Sequence, residues 1–151
     1  MITVDLARRL RTAGLRWRPA SGDRFVVESL AADDEPLDVF TLSDMTIEAH
    51  HYPTGTELGF NGTTEWALDS VAADDSLWLP REDQLRTLLG PAFVSLVHEA
   101  DGDEHIGWTV LLRPGATVEG DERHVAGDAE TAYALALLAY LDASLRIDDV
   151  G

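Results

Sequence analysis

The sequence has 151 residues, 45% of them hydrophobic and 26% charged, which suits one folded domain with its own core and excludes a mostly disordered chain. Its formal charge is −17, from 28 acids against 11 arginines and no lysine, so its surface repels nucleic-acid phosphates and anionic lipid. The lack of cysteine excludes disulfides, thiolate nucleophiles and Cys-based zinc sites.

Thr3 to Ala13 reads as a helix. Thr3 caps it, Leu6, Leu10 and Ala13 recur at helical spacing, and Gly14 supplies a left-handed stop. Arg8, Arg9 and Arg11 lie off that stripe and are expected to face solvent. After Trp17 and Pro19, the Ser21-Gly22-Asp23 turn introduces a short strand, Arg24 to Glu28. Residues 30–36 form an acidic loop that ends in proline. Three strand-like runs follow, Leu37 to Leu42, Thr46 to Tyr52 and Thr56 to Phe60, with turn residues at Ser43-Asp44 and Pro53-Thr54-Gly55. Their spacing suits an antiparallel meander.

Asn61-Gly62 breaks that pattern, and Thr63 or Thr64 caps a short helix carrying Trp66, Ala67 and Val71. An Asp74-Asp75 turn and the run Leu77-Trp78-Leu79 lead to Pro80, well placed to start a helix from Arg81 to Leu89 that stops at Gly90. Phe93 to Ala100 and His105 to Arg113 flank Asp101-Gly102-Asp103-Glu104, the clearest hairpin in the chain. A short strand, Arg123 to Ala126, precedes a helix capped by Asp128 and running to Leu145. That helix is apolar nearly all round, which marks burial on most faces.

These elements predict an α+β fold. An antiparallel sheet of about five to six strands, a meander plus a hairpin, packs against an N-terminal, a middle and a long buried C-terminal helix. Residues 1–146 form one domain and 147–151 an acidic tail. No apolar run reaches the roughly 18–20 residues that span a bilayer. Met1 to Asp5 lacks the layout of a secretory signal, so a cytoplasmic location is expected.

Several chemistries fail on residue type. Without lysine there is no Walker-type phosphate loop, and no Gly-x-Gly-x-x-Gly follows a strand. No Gly-x-Ser-x-Gly elbow is present. His50 and His51 are strand neighbours pointing to opposite faces, and His98 and His105 are not cross-strand partners when counted back from their turn. With His124, all five histidines are therefore assigned structural or surface roles, and no metal site or cofactor is expected. The Asp101–Glu104 turn lacks the glycine and the terminal glutamate of an EF-hand loop. Trp108 alternates with Val110 and Leu112 and belongs to the core, while Trp66 and Trp78 flank the Asp74-Asp75 turn as a platform near Asn61.

The stretches Asn61-Gly62-Thr63-Thr64-Glu65-Trp66-Ala67-Leu68-Asp69-Ser70-Val71 and Leu77-Trp78-Leu79-Pro80-Arg81-Glu82-Asp83-Gln84-Leu85 resemble a group of small actinobacterial proteins labelled pilus assembly proteins of the CpaE type. The second half is also loosely similar to small phage-encoded proteins with a Trp-x-Pro helix, a hairpin and a closing Ala-rich helix. The resemblance lends this chain no catalytic residues.

Charge is uneven along the chain. Residues 1–24 carry six arginines against two acids, whereas residues 25–151 carry five against 26. The expectation is a non-enzymatic protein-interaction or regulatory domain with an acidic docking surface for a protein partner, bordered by Asn61, Trp66, Asp74, Asp75 and Trp78. Two alternatives stand beside it. One is a small-molecule-binding protein or enzyme with a pocket near Asn61, Trp66 and Trp78. The other is a nucleic-acid mimic acting on a DNA-processing protein.

Overall fold

The structure, a computed structural model, describes residues 1–31, 35–43, 48–52, 55–59, 70–113 and 120–148. Among them the chain is α+β, and every strand pairing is antiparallel. Helix α1 (Val4–Thr12) is followed by strands β1 (Arg24–Val27), β2 (Val39–Thr41), β3 (Glu48–Tyr52), β4 (Gly55–Gly59), β5 (Ser70–Ala72) and β6 (Ser76–Leu79). Helix α2 (Glu82–Leu89), strands β7 (Phe93–Asp101), β8 (Glu104–Leu112) and β9 (Glu122–Ala126), and helix α3 (Ala129–Asp148) complete it. The strands form three three-stranded sheets, ordered β2-β1-β6, β3-β4-β5 and β7-β8-β9. The chain gathers into two compact units, residues 1–15 with 80–151 and residues 16–79.

In the first unit α3 is the central element, with α1, α2, β8 and β9 all packed against it. Ala132, Tyr133, Ala134, Ala136, Leu137 and Leu138 are all buried, so its apolar surface is covered around most of its circumference. Its alanines allow close approach of neighbours on several sides. Leu6, Ala7 and Leu10 form the buried face of α1, and Leu85 and Leu89 that of α2. Thr3 caps α1 by accepting the Leu6 amide at 3.2 Å. Gly14, at φ 106°, and Gly90, at φ 53°, follow the two helices in left-handed backbone that a side chain would strain. Phe93 lies 5.6 Å from the Tyr133 ring and takes the Arg86 guanidinium on its own ring at 5.0 Å, which joins α2, β7 and α3. Burial there pushes the Tyr133 hydroxyl above its usual pKa. Helix α3 continues to Asp148, two residues into the stretch expected as a tail.

The second unit holds the other two sheets. In β2-β1-β6, Phe25 stands directly opposite Phe40 on one side and Trp78 on the other, making an aromatic row on one face. Trp17 packs on Phe25 at 5.4 Å, and Val27 and Leu42 complete this core. Strand β6 is absent from the sequence expectation because Ser76–Leu79 shows no alternation; Leu77 and Leu79 are buried, and so is Ser76. Val71, expected on a short helix after Asn61, lies on β5 opposite Leu58. Pairing along β4 takes precedence over helical propensity there. The remainder of that expected helix lies outside the described residues.

One buried carboxylate organises the entry to β1. Asp23 is 1% exposed, and one of its oxygens accepts both the Trp17 indole N–H at 2.9 Å and the Ala20 amide at 3.0 Å. Its backbone carbonyl accepts the Leu42 amide, and Gly22 donates back to the Leu42 carbonyl. Asp23 thus ties Trp17 to the strand that carries Phe25. Asp23→Ala, by leaving two part-buried donors without their acceptor, should lower the unfolding free energy by about 1–3 kcal/mol. Asp23→Asn, which keeps a neutral acceptor, should lose about half as much. Urea denaturation followed by tryptophan fluorescence measures both.

Candidate functional site

Of the residues singled out from the sequence, Asn61 and Trp66 lie outside the described residues. Asp74 and Asp75 occupy a single 3-10 turn, Ala73–Asp75, and both are exposed. Trp78, three residues on, is half-buried at the end of the aromatic row opposite Phe25. Its indole N–H is buried and has no hydrogen-bond partner among the described residues. The structure thus places two free-standing carboxylates at the head of a strand held by buried leucines. It places Trp78 on that strand, directly across from Phe25.

A second arrangement was not anticipated. Along the β7–β8 hairpin His98 pairs with Trp108, Glu99 with Gly107, Ala100 with His105 and Asp101 with Glu104. One step from Glu99 to Ala100 thus spans two on β8, and Ile106 is the extra residue of a β-bulge, 58% exposed. On an unbroken strand His105 and Trp108, three residues apart, would point to opposite faces. The bulge puts both on the face that carries His98. His98 and His105 are not cross-strand partners, as counting from the turn indicates, but they are diagonal neighbours within reach.

The rings meet there. His98 Nε2 and His105 Nδ1 are 2.8 Å apart, with ring centroids at 5.0 Å and planes within 16°. His98 also rests on the Trp108 ring at 4.6 Å. His105 Nε2 lies 2.7 Å from the Gly127 carbonyl oxygen. A carbonyl only accepts, so His105 Nε2 carries a proton. In the neutral pair His105 Nδ1 is then the acceptor and His98 Nε2–H the donor, leaving His98 Nδ1 as the uncommitted nitrogen. Both histidines are exposed to solvent. Among the described residues no three histidine, aspartate or glutamate side chains converge as a metal site.

Gly127 directly precedes the cap of α3. Asp128 caps α3, its two carboxylate oxygens accepting the Thr131 amide at 2.9 Å and the Thr131 hydroxyl at 2.7 Å. Partial burial disfavours the charged carboxylate, but the Thr131 donors outweigh it and hold its pKa below the usual 3.8. The sequence signal for the imidazole pair was two histidines about one hairpin turn; the bulge that sets Trp108 beside them has no signature in the residues themselves.

No known protein family, curated protein or solved structure matches the chain. No helix among the described residues is long and apolar enough to cross a membrane.

The depressed Asp128 pKa sets a sign for acid stability. The folded state binds the proton less readily than the unfolded chain, so the stabilisation is present above the ordinary value near 3.8 and is lost as pH falls through the lower folded value. Asp128→Asn should flatten the fall in melting temperature below that pH, while lowering the melting temperature itself near neutrality through a weaker cap. Thermal unfolding across an acid series reads both effects.

Proposed function

We propose that this chain is a non-enzymatic protein-interaction domain whose acidic surface docks a basic partner protein. The observation that supports it is the Asp74-Asp75 pair. Two adjacent carboxylates, both exposed, stand on a single turn whose following strand is fixed by the buried Ser76, Leu77 and Leu79. Presented this way each carboxylate offers two acceptor oxygens to solvent, the geometry that a guanidinium fork takes bidentately. The rest of the surface supports the same choice of partner. Residues 16–79 carry 13 acids against three arginines, and the remainder 15 against eight. Such a field speeds the approach of a basic surface and disfavours an acidic one.

An arginine-rich peptide offers a defined probe. In about 50 mM salt it should bind and perturb the backbone NMR signals of Asp74, Asp75 and β6 first, and about 0.5 M salt should release it. Asp74→Asn with Asp75→Asn should weaken binding by about twofold to thirtyfold, the worth of two exposed ion pairs at about 0.2–1 kcal/mol each. Shifts spread evenly over all carboxylates, with affinity unchanged in the double variant, would remove this surface from consideration.

A further inference from the structure

We infer that His98 and His105 form a two-imidazole site for a divalent, borderline-soft transition-metal ion, with Zn2+ and Cu2+ as its natural probes. Three features of the pair carry this. The first is separation. Imidazole nitrogens bound to one such ion at about 2.0–2.1 Å stand about 3 Å or slightly more apart. His98 Nε2 and His105 Nδ1 are already 2.8 Å apart, so a small opening and rotation of the rings makes room.

The second is orientation from behind. Metal-bound histidines characteristically donate their other ring N–H to a carbonyl or carboxylate, which fixes tautomer and ring angle. His105 has that arrangement, Nε2 donating to the Gly127 carbonyl at 2.7 Å, so its Nδ1 lone pair is turned toward His98. The third is confinement of the partner ring. Trp108, brought to this face by the Ile106 bulge, lies against His98 at 4.6 Å and limits its rotation. Access is open, since both imidazoles are exposed.

Metal binding requires one rearrangement whose protons balance. The Nε2 proton of neutral His98 moves to Nδ1 of the same ring, which frees the Nε2 lone pair, and His105 keeps its Nε2 proton. The ion then replaces the shared hydrogen bond, and water completes its coordination. The neighbouring turn, Asp101, Asp103 and Glu104, adds negative potential that favours a dication over the bare pair.

The test is titration of the intact chain with Zn2+ in a non-chelating buffer near neutral pH, followed by long-range 1H–15N spectra of the imidazoles. His98 Nε2 and His105 Nδ1 should shift together and saturate at a single equivalent, while His105 Nε2 stays protonated. His98→Asn and His105→Asn should each weaken binding by about tenfold or more, because each removes one of two ligands. Cu2+ should bind more tightly than Zn2+, and Mg2+ should not compete. Unchanged thermal unfolding of both variants shows that the fold is intact. Binding that survives both substitutions, or that moves only carboxylates or the other three histidines, would overturn the assignment.

Discussion

A helix that is apolar around most of its circumference has little surface suited to solvent, and the elements packed near it must cover most of it. In the first unit this requirement falls on α3, and it explains why α1, α2 and the β7-β8-β9 sheet all converge there. The alanines at 132, 134 and 136 keep the separations short, and Tyr133 reaches across to Phe93. Covering α3 sets the orientation of the hairpin, because Phe93 and Leu112, directly opposite each other, belong to the face that α3 touches. Leu96, Val110, Trp108 and His98 lie on the same face by alternation. The imidazole pair is therefore the continuation of the buried face beyond the start of α3, where the same row of side chains runs out into solvent.

That position accounts for the chemistry. Farther along the face, the buried Val110 and Leu112 leave no room for a polar group without a partner. At the hairpin end, where cover is lost, polar rings are tolerated and can pair with each other. The bulge at Ile106 makes the change of character abrupt. It adds one residue to β8, turns an isoleucine outward, and gathers Trp108 and His105 around His98. Asp128 and Gly127 are adjacent, so the cap that begins α3 stands next to the carbonyl that accepts from His105.

Much of the fold was legible in the residues. The helices at Val4–Thr12, Glu82–Leu89 and Ala129–Asp148 follow from spacing, caps and stop signals that act within a few residues, and the hairpin from its Asp-Gly turn. What escaped depends on partners distant in sequence. Ser76–Leu79 is a strand because β1 pairs with it, and Val71 is a strand residue because Leu58 stands opposite. The division of strands into three sheets likewise has no local signal. For the candidate surface, the charge and turn context of Asp74 and Asp75 are readable in the residues, whereas the pairing of Trp78 with Phe25 depends on a strand distant in sequence. The histidine pair was dismissed because direct opposition was required of it, and two long rings on a diagonal do not need direct opposition.

Three carboxylate settings in this chain show why net charge alone says little about mechanism. Asp23 is nearly inaccessible and one of its oxygens accepts from Trp17 and Ala20, so it acts on the fold. Asp74 and Asp75 are exposed, and their acceptor capacity faces solvent. Asp128 is intermediate, exposed yet committed to Thr131 and to the start of α3. The formal charge counts all four equally, though their surroundings differ. The proposed docking role therefore rests on exposure: Asp74 and Asp75 stand at the head of a strand anchored by the buried Leu77 and Leu79 and turn their carboxylates to solvent.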